Sequence, residues 1–303
     1  AHQWRDIVQL DDIQAAQLIR HDEIDVLVDL AVHSTGNRLG IFAHKPAPVQ
    51  VTFCGYPGGT GLETIDYRLS DVYLDPAEND AVYAERTLRL PNTFWCYDFE
   101  AMSLADLPDV TPPPMAHTHA VTFGCLCHHC KINPAVISRW LAVLDAVPGS
   151  RMLLLAMPGS QRRWMVEQMR GRADFEEFRP RSQYMALYSR IDIGLDTFPY
   201  NGHTTSLDSF WMGVPVVTLM GQTAVSRAGW SQLNNLGLPE LAADTDERFV
   251  EIAASLARDP DRLGDLRMSM RQRMKSSPLM DARRFARAIE AAYRRIWQEW
   301  AKR

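Results

Sequence analysis

Two doubly wound α/β units, joined by a proline-rich break and followed by a closing helix, are what this sequence predicts. Three observations carry that expectation. Short apolar, β-rich runs alternate with amphipathic helical stretches, the pattern of parallel sheets with helical crossovers. The periodicity lapses between residues 101 and 119, where Pro108, Pro112, Pro113 and Pro114 suit a semi-rigid extended linker. Finally, 303 residues suffice for two domains of ordinary size, each with its own core.

The elements follow in order. Residues 14–21 read as a helix and 25–30 as a strand. A short helix at 38–44 is stopped by Pro46 and Pro48. Residues 49–53 form a strand that enters the glycine-rich turn 55–61, and 67–70 and 88–90 are further short strands. After the break come a strand at 119–124, a helix at 134–147 with Pro134 at its start, and a strand at 151–156. A helix at 161–169, a short strand at 175–178 and a helix at 183–189 continue the alternation. A strand at 191–196, a helix at 204–212 and a strand at 215–219 complete the sheet, and helices at 246–257 and 260–275 close it. A last helix, 281–300, repeats Phe285, Ile289, Tyr293 and Ile296 on one face and docks on a preformed surface. The domains are thus 1–107, a linker 108–118, 119–278, and a docking helix 279–303. Two such units place a ligand cleft between them, at the carboxyl ends of strands.

Composition narrows the function. With 46% hydrophobic and 23% charged residues the chain is an ordinary globular protein. A net charge of −5 implies no basic face, so no nucleic-acid partner is expected. No apolar run approaches the ~18–20 residues of a membrane span, so no membrane partner is expected. The first 25 residues carry charges throughout and show no signal peptide. Five cysteines at irregular spacing argue against a disulfide scaffold and for a reducing, cytoplasmic location. Because it begins at Ala1, the chain reads as a fragment or processed product.

The most informative stretch is Asp196-Thr-Phe-Pro-Tyr-Asn-Gly-His-Thr-Thr-Ser-Leu-Asp208, a strand running through a tight turn into a helix start. Helix starts present unpaired N–H groups and partial positive charge, so His203, Thr204, Thr205 and Ser206 could cradle a diphosphate. Asp208, on the same helix, could accept hydrogen bonds from ribose hydroxyls. The plainer alternative is that Thr204 or Ser206 merely caps the helix. Gly55, Tyr56, Pro57 and Gly58 begin a turn flexible enough for backbone to approach a sugar or diphosphate. His33, just past the strand at 25–30, could orient an acceptor hydroxyl or act as base, or be an ordinary loop histidine. Asp66 and Asp71 end a strand and cap a turn. No Gly-x-Gly-x-x-Gly follows any strand, which disfavours a dehydrogenase.

Four blocks together resemble the catalytic region of the O-GlcNAc transferase family, which includes the SPINDLY-type O-fucosyltransferases. They are Lys45 through Gly61, Asp66-Tyr-Arg-Leu-Ser-Asp71, Val121-Thr-Phe-Gly124 with Lys131-Ile-Asn-Pro134, and Asp196 through Asp208. The resemblance continues through Gly213-Val-Pro-Val-Val-Thr218 and Ser226-Arg227, and near Leu266 and Ser277 it leans toward the SPINDLY and bacterial branches. It implies a GT-B architecture and an inverting, metal-independent transfer to Ser or Thr hydroxyls of proteins. It implies no cofactor beyond a UDP- or GDP-linked sugar donor, with GlcNAc or fucose as the sugar. By position, the diphosphate-binding trio falls on His203, Thr204 and Thr205, the ribose carboxylate on Asp208 and the essential lysine on Lys131. The family's glutamine before that lysine is His128 here, and Arg181 stands where a lysine is expected. A histidine and an arginine of the family are replaced by Tyr184 and Leu187. Residues 1–107 become the remainder of an acceptor-side domain. An upstream histidine segment and helical tetratricopeptide repeats are implied outside this sequence, which then reads as a truncated catalytic region.

The expected assignment is therefore a glycosyltransferase. Lys131, His203, Thr204 and Thr205 hold the diphosphate, Asp208 the ribose, His128 the base or ribose, with Arg181 nearby, and His33 and Gly55 to Gly58 face sugar and acceptor. Two rivals stand beside it. One is a non-catalytic nucleotide-sugar-binding module. The other is a metal or redox sensor built on Cys125-Leu-Cys127-His128-His129-Cys130, although four zinc ligands are not evident.

Overall fold

The computed structural model describes residues 3–98 and 109–302, so part of the expected break, 101–108, lies outside the described residues. The chain divides into two compact units, Ala1–Trp95 with Arg283–Arg303, and Cys96–Ala282.

The first unit opens with α1 (Asp12–His21), β1 (Val26–Asp29), α2 (Leu39–Ala43), β2 (Val49–Thr52), β3 (Tyr67–Asp71) and β4 (Arg86–Leu90). A reciprocal cap starts α1: the Gln14 N–H donates to Asp11 Oδ1 (2.8 Å) and the Asp11 N–H to Gln14 Oε1 (3.1 Å). This sets the helix start two residues before the apolar periodicity becomes visible. The four strands are all parallel and lie side by side in chain order. Strands β2 and β3 are buried throughout although apolar and polar residues alternate along them; the buried Gln50, Thr52, Arg68 and Asp71 are hydrogen-bonded inside the unit.

The second unit contains α3 (Met115–Thr118), β5 (Thr122–Cys125), α4 (Pro134–Ala146), β6 (Arg151–Leu155), α5 (Ser160–Gln168), β7 (Ala173–Glu176) and α6 (Arg181–Ala186). It continues with β8 (Ile193–Leu195), α7 (Thr204–Trp211), β9 (Val216–Leu219), α8 (Ala228–Leu236), β10 (Ala242–Ala243), α9 (Asp246–Ala257) and α10 (Pro260–Ser276). Its parallel sheet has the order β10-β9-β8-β5-β6-β7. The order reverses between β5 and β8, and in open α/β sheets ligands bind outside the carboxyl ends of strands at such a reversal. Both loops leaving that point, 126–133 and 196–203, carry the motif residues.

Three local expectations need adjustment. The extended linker holds a helical turn, α3, and is fastened to the second unit. Arg267, 1% exposed, donates to the carbonyls of Thr111 (2.7 Å), Ile191 (2.6 Å) and Tyr188 (3.2 Å), and Asp192 accepts from the Met115 and Thr122 N–H groups. Strand β7 lies two residues earlier than expected, and α8 was not anticipated.

Finally α11 (Ala282–Trp300) returns to the first unit. Phe285, Ile289, Ala292, Tyr293 and Ile296 pack against Val49, Val51, Tyr67, Leu69, Leu88 and Leu90 of its sheet. Burying a side chain such as Ile296, 0% exposed, contributes about 1.5–3 kcal/mol. Among the described residues no helix is long and apolar enough to cross a membrane.

Candidate functional site

Asp196 organises the loop between β8 and α7. Its Oδ1 accepts from the N–H groups of Thr197 (2.8 Å) and Gly202 (2.6 Å), and its Oδ2 from Thr218 Oγ (2.7 Å). Burial raises its carboxyl to about 6 against these stabilising donors. Gly202 is sterically required, because a Cβ there would lie 2.2 Å from Ser206 Oγ. The turn then delivers His203 as the residue preceding α7. No side chain caps this helix; its first hydrogen bonds run from the Ser206 and Leu207 N–H groups to the His203 carbonyl. The capping alternative for Thr204 and Ser206 therefore fails. Thr204, exposed, and Thr205, half-buried, stand in the first turn, at the positive end of the helix.

Lys131 comes to the same place from the loop after β5. Its Nζ donates to the Asn201 carbonyl (2.8 Å) and lies 3.8 Å from the centre of the Tyr200 ring. Among the described residues it joins no ion pair. Its field is felt locally: the His203 imidazole is pushed down to about 3, first by burial and then by the Lys131 charge. His203 is therefore neutral at neutral pH and serves as a hydrogen-bonding group rather than a cation. His128, exposed, is stacked on His129 (4.4 Å between centroids) and on Phe178 (6.0 Å), and its Nδ1 accepts from the Cys130 N–H (3.3 Å). Partial burial, then His129 and Lys131, lower its pKa.

One turn along α7, Asp208 is 1% exposed. Arg181, at the start of α6, clasps it with both terminal nitrogens, Nη1 at 2.7 Å from Oδ2 and Nη2 on Oδ1. Tyr97 adds a third donor to Oδ1 at 2.8 Å. Asp208 thus has little unspent acceptor capacity, and Arg181, whose side chain is 32% exposed, is the member of the pair that faces solvent. Tyr184 and Tyr188 connect the two halves: their hydroxyls are 2.8 Å apart, and Tyr188 donates to the Thr205 carbonyl (2.9 Å). The structure therefore brings Lys131, His203, Thr204, Thr205, Asp208 and Arg181 together along one helix, with His128 beside Lys131. Sequence reasoning missed Tyr97, Asn201, Tyr200 and Phe178. Only Tyr200 and Asn201 lie in a motif, so only they carried a local signal.

Cys125 and Cys127 are buried and Cys130 exposed. The Cys125 thiol is held up by its hydrogen bond with Cys127 and by burial. Among the described residues no three His, Cys, Asp or Glu side chains are placed to hold a metal ion.

In the first unit His33 is exposed, four residues beyond β1. Asp29 pins this turn, accepting from the N–H groups of Ala31 (3.1 Å) and Val32 (3.0 Å) and from Thr52 Oγ (2.8 Å). Gly55 abuts it so closely that a Cβ would lie 2.5 Å from the Leu30 carbonyl oxygen. The turns bearing His33 and Gly55-Tyr56-Pro57-Gly58 are thus neighbours at one end of the sheet. Asp71 caps a turn as expected, accepting from the Tyr73 and Leu74 N–H groups. Asp66 pairs with Lys45 and accepts from the Gln50 N–H (2.7 Å).

Two all-parallel α/β sheets, the second with a helix start at a strand-order reversal, fit the GT-B class of glycosyltransferase folds. Solved GT-B structures share it: OtsA superposes with a TM-score of 0.53 at 15% identity over 90% of this chain and 74% of its own, which speaks for the fold alone. Residues 2–108 and 115–289 match glycosyl transferase family 41, and the chain belongs to that family. The "Probable UDP-N-acetylglucosamine--peptide N-acetylglucosaminyltransferase SPINDLY" of Solanum lycopersicum is 39% identical over 98% of this chain and 32% of its own length. Its counterpart in Arabidopsis thaliana is 38% identical over 99% of this chain and 33% of its own. A mutant O-GlcNAc transferase from Thermobaculum terrenum superposes with a TM-score of 0.90 at 36% identity, over 99% of this chain and 58% of that one. The chain spans about a third of the length of the curated relatives it matches. The family resemblance read from the four sequence blocks is borne out.

Proposed function

We propose that this chain provides the donor-binding and transfer chemistry of a protein O-glycosyltransferase, moving a sugar from a nucleoside diphosphate to a Ser or Thr hydroxyl. The relatives' names favour UDP-GlcNAc as the donor; a GDP-linked fucose is the competing choice. In this reading the diphosphate lies across the open N-terminus of α7, against the Thr204 and Thr205 amides and hydroxyls, with Lys131 beside it. The ribose meets the Arg181–Asp208 pair, and His128 and Phe178 border the base. The acceptor hydroxyl oxygen attacks the anomeric carbon with inversion, and the bond to the diphosphate oxygen breaks with its electron pair leaving on the diphosphate. The hydroxyl proton passes to a base, for which the sequence offers His33, as it offers Gly55 to Gly58 for contact with the sugar. Charge accumulates on the leaving group in the transition state, and preorganised donors aimed there lower the barrier without requiring a divalent ion.

The observation that carries this reading is Lys131: a cation held by a carbonyl and a ring, in no ion pair among the described residues, beside an uncapped helix start. Lys131→Ala is expected to cut transfer by about 10²–10³-fold, the scale of losing one transition-state donor, with the thermal midpoint unchanged. Turnover equal to the parent's would reject the role. Calorimetry with UDP, GDP and their sugars separates an enzyme from a module, since binding without turnover by the parent favours the latter.

A further inference from the structure

We infer that Tyr97 is a positioning residue for the nucleotide's ribose, acting through the Asp208–Arg181 pair; this rests on the donor-binding reading above. Tyr97 is far from Asp208 in sequence, yet its hydroxyl donates to Oδ1 at 2.8 Å. It is itself tightly seated. The side chain is 5% exposed, its backbone N–H donates to the Leu279 carbonyl (2.7 Å), and its ring lies 6.4 Å from that of Trp211, one turn beyond Asp208 on α7.

The physical need for a third donor is specific. Arg181 reaches Asp208 from a helix start, through a long side chain that is 32% exposed. A bidentate guanidinium fork fixes the two groups relative to each other, but not by itself relative to the rest of the fold. The phenol, fixed from another direction, locks the carboxylate, and the carboxylate then fixes the plane of the guanidinium. Arg181 also lies 5.3 Å from the centre of the Tyr184 ring, which bounds its other side. Four residues separate Thr204 from Asp208, about 6 Å along the helix axis. With a diphosphate at the helix start, the next part of the ligand to reach the pair is the ribose. Its vicinal hydroxyls both donate and accept, which suits a guanidinium backed by a carboxylate.

Tyr97→Phe deletes only the hydroxyl. Binding of UDP, GDP and their 2′,3′-dideoxy analogues is measured by calorimetry for parent and variant. For the ribonucleotide the parent binds, the variant is expected to lose about tenfold in affinity, the scale of one hydrogen bond to a charged group. The dideoxy analogue is expected to bind both proteins equally. Unchanged ribonucleotide affinity, or the same loss with both nucleotides as a general folding defect would give, overturns the role of Tyr97 alone. A parent that binds neither UDP nor GDP overturns the underlying donor-binding reading, and this inference with it.

Discussion

The turn after β2 and the turn after β8 look alike in sequence. One is Tyr56-Pro57-Gly58 and the other Phe198-Pro199-Tyr200-Asn201-Gly202, and each leaves a buried parallel strand. Each is also held by a cation that donates to its carbonyls. In the first unit that cation is Arg68, 1% exposed, bonded to the carbonyls of Pro57 (3.1 Å) and Gly58 (3.4 Å). It is neutralised by the equally buried Asp75 and covered by the Tyr83 ring at 3.7 Å. Glu85 holds the far side of the same turn through the Thr60 N–H (2.5 Å). In the second unit the cation is Lys131, half-buried and bound to the Asn201 carbonyl. The same device has different remaining capacity. Arg68 completes its electrostatics on folding, whereas Lys131 keeps a charge that an anion can use.

The sharpest way to break this contrast is to remove each cation. Arg68→Met strands Asp75 in the interior, and breaking a buried pair costs about 3–5 kcal/mol. Lys131→Ala breaks no ion pair among the described residues, so its unfolding free energy in urea is expected to match the parent's to within about 0.5 kcal/mol. Equal destabilisation of the two variants would erase the distinction between a structural and a functional cation.

A smaller effect tests the glycines of the two turns. A Cβ at Gly58 would meet the Tyr56 ring at 2.3 Å, but that side chain is partly exposed and can swing aside. A Cβ at Gly202 would meet Ser206 Oγ at 2.2 Å, and Asp196 Oδ1 and Cys127 Sγ at 3.3 Å, all buried. Gly202→Ala is therefore expected to cost about 1–3 kcal/mol by overpacking, and Gly58→Ala less. Denaturant unfolding of both variants decides; the reverse ranking would show that the second turn has more slack than its packing indicates.

Much of this arrangement was legible before the structure. Apolar runs marked both sheets, and the string from Asp196 to Asp208 marked the helix that bears the candidate site. Elements whose polar residues satisfy one another were harder to read. Helix α8, Ala228–Leu236, contains Gly229, Asn234 and Asn235 and was not anticipated, yet Ser231 and Gln232 are buried and Gln232 donates to the His203 carbonyl (3.2 Å). Arg267 looks like a surface arginine on a charged helix but is sealed beneath the linker, its pKa lowered to about 10 by burial. Tyr97 sits in no motif at all. Contacts of this length are set by how the chain returns on itself, which local pattern does not encode.

The last expected effect is a pH dependence centred on the second turn. His203 has its pKa lowered from 6.5 to about 3, so between those values the unfolded chain holds a proton that the native state refuses. Stability from this group is present above 6.5 and lost as pH falls toward 3. Asp196 is raised from 3.8 to about 6, so between those values the native state holds a proton that the unfolded chain has released. Its contribution runs the other way and is lost as pH rises through that window. In the parent the two slopes oppose each other between roughly pH 4 and 6. His203→Asn keeps a neutral polar group and removes the first slope. Relative to the parent, the variant should gain stability on going from pH 7 to pH 4.5, by about 2–3 kcal/mol or roughly 5–10 °C in thermal midpoint at about 2–4 °C per kcal/mol. Melting curves of both proteins at the two pH values measure it directly. A difference that does not change with pH would mean that the His203 imidazole is not desolvated at the mouth of α7, and that its ring is open to solvent as the His33 ring is.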